Sequence, residues 1–194
     1  MIEEAREKLR LALERDETLQ EVSFEGASMK GERLGSLRGD FLVFSDCDLE
    51  HASFAQAKLT DCDFERTQLA GADCSEAMFW QCRFANASAV GSDFTGTTAE
   101  LSFFRDADFS DAIFDRANLS NISFHKTRLV NAVFEDAEGE NVGFVGADLT
   151  DASFKNAKLK GADFSGAKLI NVDFTGADLT DAIMKDADTT GAKF

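Results

Sequence analysis

Residues 147–166 read ADLTD-ASFKN-AKLKG-ADFSG. In each block of five the first residue is Ala, the third is Leu or Phe, and the other three are polar or small. The phase holds far beyond this stretch. From Phe24 to Phe194 the 35 positions whose number ends in 4 or 9 hold 17 Phe, ten Leu and two Met. Only Phe41 and Phe103 of the 19 Phe miss that column. Two residues earlier runs a second column, at positions ending in 2 or 7, with 20 Ala and with Cys47, Cys62 and Cys82.

A period of five fits neither an amphipathic helix nor a simple strand, whose periods are about 3.6 and 2. A small and a large apolar residue at i−2 and i alternate as in a short strand, and the next two polar residues turn a corner. Four such sides close a square of 20 residues. Squares stack at about 4.8 Å per coil with backbone paired to backbone. Such a solenoid buries its apolar residues only by stacking each coil on its neighbours. The absence of Pro agrees, because every coil must donate N–H groups to the next. Gly, Asn and Asp at the corners suit tight turns.

The blocks ADLTD, ADFSG and AKLKG resemble the A(D/N)LXX unit of the pentapeptide-repeat family, over residues 22–194 or nearly so. The resemblance implies an all-β solenoid, a right-handed quadrilateral β-helix, here of nearly nine 20-residue coils. Sorted by side, Phe24, Phe44, Phe64 and their successors face Leu34, Phe54, Cys74, Phe94 and theirs across the core. The other two sides are mostly Leu. Gly39, Ala89, Ala99 and Gly139 are expected to leave thin spots. The first coil looks degenerate, with Glu32 at an inward position and Leu37, Gly39 and Phe41 out of pattern, so regular coils are expected from about residue 42. Residues 1–20 form a separate unit. Ile2, Ala5, Leu9, Ala12 and Leu13 share one helical face, which caps the first coil or, alternatively, binds a partner. Residues 21–194 form the β-helix. No equivalent cap is visible after Phe194, so the last coil pairs end to end with a second copy or the chain continues.

The chain has 36 Asp+Glu against 20 Lys+Arg, a net charge of −16. That excess argues against direct nucleic-acid binding, which needs Lys and Arg on phosphates. No apolar run is long enough for a membrane span, and residues 1–17 lack the basic region plus apolar stretch of a signal peptide. Cys47, Cys62, Cys74 and Cys82 fall in the inward columns and read as core, free thiols of a reducing cytoplasm. His51 and His125 point outward, far apart. No catalytic, phosphate-binding or metal motif appears, so neither enzyme activity nor a cofactor is expected.

What remains is surface. Residues 61–150 hold a net charge of −10. Asp73, Glu76, Asp93, Asp115, Glu135 and Asp136 fall on one side, opposed there only by Arg116, and a basic partner would be steered to them. Trp80 follows an inward residue and so points outward, near Leu101 and Phe103, a cluster of the kind that anchors interfaces. The alternatives are a merely solubilising charge and local packing. Some members of the family bind DNA gyrase as DNA mimics and confer quinolone resistance. The resemblance thus implies an acidic rod that binds a basic DNA-handling protein, to protect gyrase or to neutralise a nuclease toxin. The C-terminal dimerising helix and inserted loops of those gyrase binders have no counterpart here. A structural or adaptor scaffold, for example beside a secretion system, is the alternative.

Overall fold

The computed structural model describes residues 2–194. Helix α1 spans Ile2–Arg15, followed by four three-residue strands: β1 Thr18–Gln20, β2 Arg38–Asp40, β3 Lys58–Thr60 and β4 Met78–Trp80. They form one parallel sheet in the order β1-β2-β3-β4, each residue paired with the one 20 positions on, as in Leu19 with Gly39 and Leu59 with Phe79. The same spacing recurs in isolated parallel bridges around the molecule, such as Ser23 with Val43, Ser28 with Asp48 and Asp73 with Asp93. One coil is therefore 20 residues, and the chain is a β-helix solenoid.

Four faces follow. The first has inward residues Phe24 to Met184, the second Met29 to Thr189, the third Leu34 to Phe194 and the fourth Leu19 to Leu179. Corners lie at positions ending in 1 and 6, where the backbone is left-handed, for example Asp46 at φ 57 and Asn131 at φ 59. Asp, Asn and Gly dominate there because they tolerate this region best. Phe41 and Leu101 occupy it too, both at φ 56.

The core is built of rings. On the first face Phe64, Phe84 and Phe104 stack at 4.7 and 4.8 Å between centroids. On the third, Phe114, Phe134 and Phe154 stack at 4.9 and 4.6 Å. The two ladders meet edge to face across the core, as Phe134 and Phe144 do at 5.8 Å and 81°. Both geometries are favoured by the ring quadrupole. Where Thr or Ser replaces the small inward Ala, its hydroxyl donates to a buried carbonyl, as Thr67 Oγ1 does to Phe44 O at 2.7 Å and Thr127 Oγ1 to Phe104 O at 2.6 Å. No buried side-chain nitrogen or oxygen lacks a partner among the described residues.

Three details differ from the sequence expectation. The ladder does not wait for residue 42: it starts at Thr18, inside the segment assigned to the cap. Glu32 is only half-buried, and its carboxylate pairs with Arg6 of α1 at 3.2 Å, so the helix itself satisfies the misplaced charge. Arg6 also donates to Ser28 O, while Ala5, Leu9 and Ala12 are buried on the same core. The thin spots are filled. A methyl added at Gly39 would fall on Leu42 Cδ1 and within 2.9 Å of Leu59 Cδ2; at Gly139 it would meet Val142 Cγ1 at 3.0 Å. Large residues in the small column have grown into the space. Ala89 and Ala99 are fully buried, and Phe109 and Phe79 supply the volume one coil away on their respective faces. Phe79 packs on Phe84 at 5.1 Å, beside the place where Cys74 interrupts the third-face ladder.

Candidate protein-binding surface

In each five-residue side the residues flanking the inward one both point outward, so each face carries two outward rows along the axis. The six predicted carboxylates lie on the third face and its corner with the fourth. Asp73 and Asp93 are adjacent in one row. Asp115 and Glu135 follow two coils further on in the other row, and Glu76 and Asp136 mark the corner. Half-exposed Ile113 and Val133 continue the row begun by Asp73 and Asp93. The patch is thus a diagonal band crossed by apolar residues.

Several of these carboxylates also serve the fold. Asp73 Oδ1 accepts from Ser75 N at 3.0 Å and Ser75 Oγ at 2.6 Å, and Asp93 Oδ1 from Thr95 N at 2.8 Å. These are Asx turns that shape the corner. Asp115 Oδ1 accepts Glu135 N, one coil on, at 3.0 Å. Partial burial raises the Asp115 pKa above the ordinary value; the Glu135 N–H opposes the shift and the Glu135 charge reinforces it. Arg116 is not the only opposing cation. Lys155 Nζ approaches Glu135 Oε1 at 3.4 Å, and Ser153 Oγ donates to the same oxygen. Glu76 and Asp136 make no ion pair among the described residues.

Trp80, Leu101 and Phe103 are exposed by 43%, 49% and 52%. They gather at the corner between the fourth and first faces. The acidic band and the apolar cluster are therefore separated by the width of the fourth face rather than side by side. Met78, also exposed, lies in the middle of that face between Glu76 and Trp80. Sequence reading passed over Met78, although the outward rule that marked Trp80 applies equally to it. Phe41 occupies the Leu101 corner row three coils earlier and is exposed as well.

The thiols are core. All four cysteines are buried and free. Burial pushes the Cys47 thiol up to about 11 and the Cys74 thiol higher still. No group of three or more His, Cys, Asp and Glu among the described residues is arranged to hold a metal, and no described helix is long and apolar enough to cross a membrane.

The family profile described as pentapeptide repeats matches the chain in eight copies, over residues 47–84, 62–106, 102–138, 117–156, 147–186 and 157–194. No curated protein sequence matches it. Among solved structures, a trypsin-treated variant of QnrB1, a plasmid-mediated fluoroquinolone resistance protein, superposes with a TM-score of 0.72 at 22% identity, covering 91% of this chain and 90% of that one. Full-length QnrB1 gives 0.68 at 21% identity over 91% and 92%. HetL, a pentapeptide repeat protein involved in heterocyst differentiation regulation in a Nostoc cyanobacterium, gives 0.42 at 24% identity over 90% and 88%. At these identities the QnrB1 likeness concerns the fold.

Proposed function

Because the chain belongs to the pentapeptide-repeat family, we propose that it is a non-enzymatic protein-binding module whose acidic third face engages a basic, DNA-handling protein. The observation that carries this reading is the band of Asp73, Glu76, Asp93, Asp115, Glu135 and Asp136 on a rigid rod, where their fields add toward one direction of approach. The QnrB1 likeness supports it, since that protein of similar fold confers fluoroquinolone resistance. The partner is gyrase, bound through DNA mimicry, or a nuclease toxin neutralised by an immunity function. In the same reading the solenoid winds right-handed through nearly nine coils and works in the cytoplasm, as a monomer or an end-to-end dimer.

The test uses purified gyrase and a purified DNase toxin as probes. Binding is measured against ionic strength for the wild type and for the triple variant Asp93→Lys/Asp115→Lys/Glu135→Lys, with circular dichroism as folding control. Affinity is expected to fall with salt and to drop at least about tenfold in the variant, or about 1.4 kcal/mol. Binding of neither probe, or binding indifferent to charge reversal, would overturn the reading. A scaffold role is the second reading, favoured by the ion pairs between coils that neutralise the other faces, such as Arg66 with Asp46 and Arg83 with Asp63, both at 2.8 Å.

A further inference from the structure

Beyond the first coil, each inward residue, the residue two beyond it and the residue four beyond it donate N–H to a neighbouring coil. Phe84 N to Phe103 O at 2.8 Å, Asn86 N to Arg105 O at 3.1 Å and Ser88 N to Thr67 O at 2.9 Å are one such set. Between residues 41 and 174 one donor of the described chain breaks this rule. It is Leu101 N–H, whose acceptor would be Ser120 O; the neighbouring rung from Ser123 N–H to Ser102 O is held in the parallel bridge of Phe103 with Ser123. The unmade rung lies between two coils at the corner of the fourth and first faces.

Three further features meet at that corner. A cleft of about 330 Å3 opens there, lined by Glu100, Leu101, Asn118, Ser120 and Asn121. Leu101 holds a left-handed φ of 56, an unfavourable conformation for a branched apolar residue. Leu101 lines it, and exposed Trp80 and Phe103 stand at the same corner. Its charge is one-sided: Arg83 and Arg105 are occupied by Asp63 and Asp106, whereas Glu100 makes no ion pair among the described residues. Unpaired backbone beside apolar surface is what an added extended segment uses, main chain for affinity and side-chain contacts for specificity.

We propose that this split corner is a docking site for a short extended segment of a partner protein, one carrying an aliphatic or aromatic residue next to a Lys or Arg. The apolar side chain lies on Trp80, Leu101 and Phe103, the cation pairs with Glu100, and a backbone carbonyl of the segment accepts from Leu101 N–H. The site deepens the protein-binding reading above but stands on a different face from the acidic band.

The test selects peptides from a displayed heptapeptide library on the wild-type protein, with counter-selection on the Leu101→Ser variant. The enriched peptide, synthesised, is the probe. Expected are a consensus pairing an apolar with a basic residue, a blue shift of the sole Trp on binding, and slowed hydrogen exchange at the Leu101 amide. Glu100→Lys, a surface change that leaves the core intact, is expected to weaken the peptide about tenfold or more, whereas the acidic-band triple variant binds it within about twofold. Selection of acidic or purely polar peptides, no enrichment at all, or binding that survives both Leu101→Ser and Glu100→Lys would overturn the proposal. Gyrase or toxin binding that persists alongside such a failure leaves the acidic-band reading standing; peptide binding without either protein partner overturns that reading alone.

Discussion

Phe134 measures how far the rings hold one another. It stacks on Phe114 at 4.9 Å and on Phe154 at 4.6 Å, and meets Phe124 and Phe144 edge to face at 6.1 and 5.8 Å. Its side chain is fully buried. Phe134→Ala removes four ring contacts and leaves a cavity that the coils above and below, fixed by their backbone ladders, cannot collapse. Buried Phe to Ala costs about 3–5 kcal/mol, with aromatic pairs worth roughly 0.5–1.5 kcal/mol each beyond their area. We expect the upper half of that range. At about 4 kcal/mol, and roughly 2–4 °C per kcal/mol for a chain of this size, Tm falls by about 8–16 °C. Phe194→Ala is the control, because that ring is 68% exposed and stacks only on Phe174, at 5.4 Å. Its expected cost is below about 1 kcal/mol. Guanidinium unfolding followed by circular dichroism and by Trp80 emission supplies both numbers and shows whether the coils around Trp80 melt with the damaged one. Equal costs for the two variants, or a Phe134→Ala loss below about 1 kcal/mol, would refute the mutual support of the ladder.

Three more outcomes are expected. Gly39→Ala adds a single methyl at a position where the repeat ordinarily carries Leu or Phe, yet it should destabilise by about 1–3 kcal/mol through overpacking, and Leu42→Ala in the same chain should recover part of the loss; a stabilised single variant in thermal melts would contradict the packing. Asp115 has a raised folded pKa, so its ionisation opposes folding once the pH climbs through that value. Asp115→Asn, which keeps an acceptor for Glu135 N, should therefore gain stability at pH 7 and lose the gain below the ordinary carboxylate range; a gain that persists or grows at low pH has the wrong sign. The four buried thiols should resist iodoacetamide in the native protein and react fully in guanidinium; rapid native alkylation counted by mass spectrometry would place a cysteine outside the core.

The inward columns were legible because the five-residue phase never slips: a large residue that faced solvent would expose its whole column. The helix was legible from Ile2, Ala5, Leu9, Ala12 and Leu13 for the same reason. The first coil was misread because Glu32 and Gly39 depart from pattern locally, and their remedies come from elsewhere. Arg6 lies 26 residues before Glu32, and Leu59 reaches Gly39 from the next coil. The surface was half legible. Position alone placed Trp80 outward and sorted the carboxylates to one face. It did not reveal that Asp73 and Asp93 are engaged in turns or that Glu135 is shared with Lys155 and Ser153.

The sequence by itself determined the solenoid, the 20-residue coil and the side of the wall on which each residue stands, because these follow from a steric alternation repeated every five residues. The tertiary structure decided what the surface can offer. Stacking sets which outward groups meet across coils, and so which carboxylates are used up. It separates the acidic band from the Trp80 cluster by the width of a face. It also leaves the rung at Leu101 unmade, and hydrogen bonding between coils is a property of two segments held together rather than of either alone.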